Sequence, residues 1–166
     1  MRILVVDDNK KHRESALEQI GNEHKINAVD SYETAIAVLS SSEHGIDILL
    51  TDLLMPAEPY CLGKEGLKFL GHEIPIGFIL MLRAAQIGVP QIVVLTDMNH
   101  HCHPMSAAVD WIAPAYWSSE RNNIMQINQS RVLIAHAPLL DDGRKDWQAA
   151  LCILQHSTTG KGLENE

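Results

Sequence analysis

The chain has 166 residues, of which 46% are hydrophobic and 20% charged, the balance of an ordinary globular domain rather than of a disordered segment. That length holds one domain with a core that needs no disulfide or metal staple. A formal net charge of −8 and a pI near 5.5 argue against a general nucleic-acid-binding surface.

Three cysteines, Cys61, Cys102 and Cys152, stand far apart with no C-x-x-C pattern, which fits reduced thiols better than a disulfide framework or a structural zinc site. The apolar start Ile3-Leu4-Val5-Val6 is too short for a signal peptide or a membrane span. The expectation is a cytoplasmic protein that meets other proteins, with no nucleic acid and no membrane.

Short apolar runs alternate with helical patterns, as in a parallel sheet wrapped by helices. The first strand is expected over Arg2 to Val6, followed by a helix capped by Asp8 or Asn9 and ended by Gly21. A weak second strand falls near Ile26 to Val29, and Ser31 caps the next helix, which carries Ala35, Ile36, Val38 and Leu39. The third strand, Ile46 to Thr51, is too apolar for one wet face. A loop rich in Pro, Gly and charge runs from Leu53 to Glu73, before a helix from Pro75 to about Gln86. The fourth strand is Gln91 to Leu95, and Pro104 to Ile112 reads as a short helix. An irregular stretch, Ala113 to Ser130, precedes the fifth strand at Arg131 to Ala135. The last helix is expected from about Asp142 to His156, with Trp147, Ala150, Leu151 and Leu154 inward. The expected fold is a flavodoxin-like (βα)5 doubly wound sheet of five parallel strands, with insertions after the third strand and before the fifth. One domain covers residues 1–156, and 157–166 form a flexible tail.

In such a sheet ligands bind at the carboxyl ends of the strands. Asp7 and Asp8 follow the first strand, Asp52 ends the third and Thr96 ends the fourth. Three converging carboxylates repel one another unless a cation or a proton intervenes. An all-oxygen ligand set of this kind suits Mg²⁺. An aspartate beside such an ion is a candidate nucleophile for phosphoryl transfer.

Val5-Val6-Asp7-Asp8-Asn9, Leu50-Thr51-Asp52-Leu53-Leu54-Met55-Pro56 and Val93-Val94-Leu95-Thr96 together resemble the receiver domain of bacterial two-component response regulators. The separation of Asp8 and Asp52, 52 − 8 = 44 residues, resembles that family's spacing. The resemblance implies phosphorylation of Asp52 and a Mg²⁺ site made by Asp7, Asp8, Asp52 and the backbone carbonyl of Leu54. It makes Thr96 the switch hydroxyl, and a sensor histidine kinase or phosphotransfer protein the donor.

The sequence also departs from the family. Receivers carry a Lys-Pro pair after the fifth strand, whereas the matching pair here is Ala137-Pro138, or Ala113-Pro114 in an alternative alignment. The nearest lysine, Lys145, is expected inside the last helix and solvated. The aromatic residue usual on the fifth strand is missing near Ile134. Residues Ala57 to Glu73 are an excess beside the pocket, a candidate lid or partner surface.

Asn99-His100-His101-Cys102-His103 lies at the same sheet edge and offers metal-ligating atoms, although adjacent loop residues rarely point at one ion. A polar loop capping the helix at Pro104 is the plainer reading. His136, when protonated, is a candidate partial substitute for the lysine. Trp147 is expected in the core, and Trp117 is a better interface candidate than Trp111.

The leading reading is a single-domain receiver, not an enzyme beyond its own phosphorylation and dephosphorylation, that signals to an unidentified downstream protein. The alternative is a phosphorylation-insensitive pseudo-receiver acting as a protein-interaction scaffold. A metal-dependent phosphohydrolase ranks last, because no D-x-D motif follows the first strand.

Overall fold

Strands that read as unbroken runs of Ile, Leu and Val are satisfied only where helices cover both of their faces. Such runs form β1 (Arg2–Val6), β3 (Ile48–Asp52), β6 (Gln91–Thr96) and β8 (Ser130–His136). Every residue of β3 is buried, as is β1 after Arg2. These elements come from a computed structural model that describes residues 1–41, 45–113 and 124–156, without the side chains of residues 60 and 61.

With β2 (Lys25–Val29) and β7 (Ile124–Ile127) they make one six-stranded sheet in the order β2-β1-β3-β6-β8-β7. The first five strands are parallel, and β7 runs antiparallel to β8 along the edge. The chain leaves β1 towards β2 and returns on the other side of β1 as β3, so strand order reverses between β1 and β3. A ligand crevice forms at such a point.

Helices α1 (Lys10–Ile20) and α6 (Trp147–His156) pack together on one face, and α2 (Tyr32–Ser40) and α4 (Ile76–Gln86) cover the other. Side-chain caps fix their starts. Asn9 accepts from the Lys11 amide at 3.2 Å and Ser31 from the Thr34 amide at 3.3 Å. The short α5 (Pro104–Val109) packs on β8 and is capped by His103, whose Nδ1 accepts from the Met105 amide at 3.1 Å.

Three expectations change. The fifth parallel strand is not the sheet edge: part of the stretch read as irregular is β7, joined to β8 by a tight turn at Asn128, φ 53°. The excess after β3 is ordered at its base by a ladder of β4 (Met55–Pro56) with β5 (Glu73–Ile74). Between them lie α3 (Pro59–Gly66), broken at Gly63 (φ 60°), and a 3-10 turn at Leu67–Phe69. The last helix starts at Trp147 rather than Asp142. The five residues before it belong to a loop whose Leu139 and Lys145 pair antiparallel around a turn at Gly143. Pro114, Trp117 and residues 157–166 lie outside the described residues.

Gly77 ties α4 to the end of β3. A Cβ there would stand 1.8 Å from the carbonyl oxygen of Asp52 and 2.9 Å from Cα of Leu53. The Gly77 amide donates to the Leu53 carbonyl at 3.1 Å. Backbone cannot yield as a flexible side chain does, so Gly77→Ala is expected to destabilise by about 1–3 kcal/mol in urea denaturation. An unchanged midpoint, with unchanged amide shifts at Leu53, would contradict this packing.

Candidate functional site

The acidic pair is held by its own local structure. The Asn9 amide donates to Asp7 Oδ1 at 2.9 Å, and Arg13, one turn into α1, donates to the carbonyls of Asp7 (2.7 Å) and Asp8 (2.9 Å). Asp7 is fully buried while Asp8 reaches the surface. Asp52, 5% exposed, closes β3, with the Leu53 amide bonded to the Leu95 carbonyl. The ligand oxygens of Asp7, Asp8 and Asp52 lie within 4.8 Å of one another, which makes them the one metal-compatible cluster of three or more such residues among the described residues.

Lys145 corrects the sequence reading. It is neither helical nor solvated: it is fully buried, one residue from the end of the loop before α6. Its Nζ lies 2.7 Å from Asp7 Oδ2, 3.0 Å from Asp52 Oδ1 and 3.1 Å from Asp97 Oδ1. After β8 the Leu139–Lys145 pairing interposes a small excursion and then returns the ammonium to the pocket. His136 does not substitute for it. Its Nε2 meets Asp110 Oδ1 at 2.7 Å instead.

Helix α1 holds the Lys145 backbone. Ser15 Oγ and Gln19 Nε2 donate to its carbonyl at 2.9 and 3.0 Å, and its amide donates to His12 Nδ1 at 3.1 Å. An acceptor at Nδ1 places the ring proton of His12 on Nε2, which faces Asp97 Oδ2 at 3.1 Å. His12 therefore fixes Lys145 and Asp97 at once. The Trp147 indole donates to the His12 carbonyl at 3.0 Å, and its ring lies beneath the ammonium, 5.6 Å from Nζ to the centroid. The core position expected for Trp147 is found.

The charges do not balance. Burial pushes the Asp52 carboxyl up to about 8, with Asp7 and Asp97 adding to the rise and Lys145 opposing it. Burial and Asp7 also raise Asp8. Burial acts upward on Asp97 too, but the His12 hydrogen bond and the Lys145 charge outweigh it and hold that carboxyl far below the usual range. Burial next to Asp8 and Asp97 raises Glu73, which β5 brings to the mouth of a cavity of about 170 Å³ shared with Asp8, Asp52, Leu54, Thr96 and Asp97. A hard divalent cation fits this donor set, since it offsets the lost hydration, and after it the mutual repulsion, that raise these carboxyls.

Thr96 is buried at the β6 end, and its Oγ1 accepts from the Met98 amide at 3.2 Å. The histidines of residues 100–103 do not converge on one point. His100 Nδ1 bonds Asp110 at 2.7 Å, His100 and His101 face each other through Nε2 at 2.9 Å, and His103 caps α5. Asp110, bridging His100 and His136, has its carboxyl lowered by those hydrogen bonds. Trp111 is 92% exposed. Lys145 is singled out by the sequence but expected in solvent, whereas Asp97, His12 and Glu73 carry no role there. Position relative to strand ends, the criterion that found Asp52 and Thr96, also points to Asp97.

Because folded Asp52 keeps a proton that the unfolded chain releases near its ordinary value, this group makes stability fall as pH rises from about 4 to about 8. Asp97, lowered, contributes in the opposite sense, and its contribution is lost as pH falls. Subtracting Asp52→Asn from wild type isolates the first effect. The variant is expected to gain on wild type as pH rises, by on the order of 1 kcal/mol or more near pH 8 in urea unfolding, with millimolar Mg²⁺ narrowing the gap. A gap that stays constant with pH would contradict the raised Asp52.

No family model and no curated protein matches the sequence. Among solved structures the chain is similar to a BeF3-activated DrrB receiver domain, at 15% identity over 59% of this chain and 67% of that one, TM-score 0.40. It is also similar to the isolated REC domain of RcsB from Salmonella enterica serovar Typhimurium with phosphomimetic BeF3−, at 19% identity, 67% and 70% coverage and TM-score 0.41. RcsB of that organism bound to promoter rprA matches at 20% identity, 93% and 98% coverage and TM-score 0.48. The strand order carries the fold assignment: this is a flavodoxin-like, doubly wound α/β domain with one added antiparallel edge strand.

Proposed function

We propose that the chain is a receiver-type signalling module that accepts a phosphoryl group on Asp52. The observation that carries this reading is the buried Lys145 ammonium, 3.0 Å from Asp52 and 2.7 Å from Asp7, at the carboxyl edge of the sheet where strand order reverses. A lone buried lysine among carboxylates at that crevice suits a site that must hold added negative charge.

Asp7, Asp8, Asp52 and the carbonyl of Leu54 would hold Mg²⁺, which when bound offsets the carboxylate charge and draws electron density from a phosphoryl oxygen. Asp52, with its proton gone, attacks phosphorus. The bond from phosphorus to the donor imidazole of a histidine kinase or phosphotransfer protein breaks, and the leaving nitrogen keeps the electron pair and takes a proton. Lys145 meets the new oxygens with charge-assisted hydrogen bonds, and Thr96 offers its hydroxyl at the β6 end. The product is a signal read by another protein through altered binding, and the only chemistry is on the chain itself.

A second reading is favoured by one observation: three carboxylates, Asp7, Asp52 and Asp97, already lie within 3.1 Å of Lys145 Nζ, and Glu73 adds further negative charge to the pocket. Such a pocket serves a phosphorylation-insensitive scaffold. As to location, no described helix is long and apolar enough to cross a membrane.

Amide spectra recorded with millimolar Mg²⁺ and beryllofluoride separate the two. The receiver reading expects saturable shifts at Leu53, Thr96 and Ser106 in wild type and none in Asp52→Asn. Silence in wild type while Mg²⁺ alone still binds would favour the scaffold.

A further inference from the structure

We infer that Asp97 is a built-in placeholder anion, occupying on Lys145 the position that a tetrahedral anionic group on Asp52 must take; this rests on the receiver reading of the site. Lys145 Nζ donates to Asp7 Oδ2 at 2.7 Å and lies at ion-pair distance from Asp52 Oδ1 (3.0 Å) and Asp97 Oδ1 (3.1 Å), so an anion arriving beside Asp52 meets an ammonium already crowded by carboxylates. Of the three partners Asp97 is the displaceable one. Its side chain is 33% exposed, against 0% for Asp7 and 8% for Asp52. Its contact to the ammonium is also the longest of the three. Its other oxygen is kept by His12 Nε2 at 3.1 Å, so Asp97 can release Lys145 without losing every partner.

The placement also couples exchange at Lys145 to α5. Asp97 lies between Thr96 and Met98, whose amide donates to Thr96 Oγ1 at 3.2 Å and whose carbonyl accepts from Ser106 Oγ, on α5, at 2.6 Å. The residues on either side of Asp97 therefore carry the bonds through which a change at its side chain would reach α5. In the absence of an added anion, Asp97 offsets part of the ammonium's charge at 3.1 Å. Asp97 thus sets how strongly the pocket takes an anion, and is a positioning residue through Lys145.

Glu73 supplies the control. It lines the same cavity and adds the same charge, but of the two only Asp97 reaches ion-pair distance of Lys145 Nζ, at 3.1 Å. If Asp97 acts only through the general field, neutralising either residue should have a similar effect.

Beryllofluoride titrations at saturating Mg²⁺, followed by amide shifts and by thermal unfolding, test this on wild type, Asp97→Asn, Asp97→Ala and Glu73→Gln. Asp97→Asn and Asp97→Ala are expected to bind beryllofluoride about tenfold more tightly than wild type, and Glu73→Gln less than about threefold. Binding by the Asp97 variants where wild type is silent would support the placeholder as well. Equal gains from Asp97→Asn and Glu73→Gln, or no gain from the Asp97 variants while wild type binds, would overturn it and leave the receiver reading standing. Silence of every variant at millimolar Mg²⁺ would overturn both.

Discussion

The ammonium of Lys145 is fully buried, and a buried charge survives only with partners close enough to offset its lost hydration. Asp7, Asp52 and Asp97 supply them at 2.7–3.1 Å, each brought from the end of a different strand or the loop after it. The dependence runs both ways. Without Lys145 these carboxylates would crowd one another in a low-dielectric cleft. Without them the lysine would not stay inside. Because β1, β3 and β6 are adjacent and parallel, their carboxyl ends deliver all three acids to one place. A single cation from the far end of the chain then ties that edge together.

Getting the lysine there requires α1 as much as the sheet. Ser15, Gln19 and His12 take up the Lys145 backbone, and Trp147 closes the gap beneath its side chain. The packing of α1 on α6 is therefore part of the site. It is built from polar contacts on the very face where the helical pattern alone suggests apolar packing. His12 and Ser15 are buried on α1 with few apolar neighbours in sequence, which makes the helix look less amphipathic than its surroundings require.

This explains what the sequence disclosed and what it concealed. The apolar runs of β1, β3, β6 and β8 were legible because strands covered on both faces cannot alternate. Asp7, Asp8, Asp52 and Thr96 were legible because they end those runs. The strand β7 was not, since Ile124-Met125-Gln126-Ile127 is short and flanked by asparagines that read as loop. Lys145 was concealed for a topological reason. A rule that looks directly after the strand sees Ala137-Pro138, whereas the Leu139–Lys145 pairing places the lysine eight positions beyond Ala137 (145 − 137 = 8). His12 was invisible because its role depends on Nδ1 and Nε2 meeting groups 133 and 85 residues away.

The residual charge shows what the site still demands. Asp7, Asp8, Asp52, Asp97 and Glu73 face one lysine, and the raised carboxyls of Asp52, Asp8 and Glu73 show that this lysine does not suffice. Glu73 comes from β5, so the insertion does not merely ornament the fold: its ladder with β4 aims a carboxylate into the crevice. A fold that needed only a stable core would have no reason to bring two further acids to this crevice, because crowded carboxylates repel one another. The arrangement makes sense if the excess negative charge is a demand for a cation, and if Asp97 moderates what else can enter once the cation is bound. In that view the pocket's strain is graded. Asp7 is locked, Asp52 is buried and reluctant to ionise, and Asp97 is the member free enough to move.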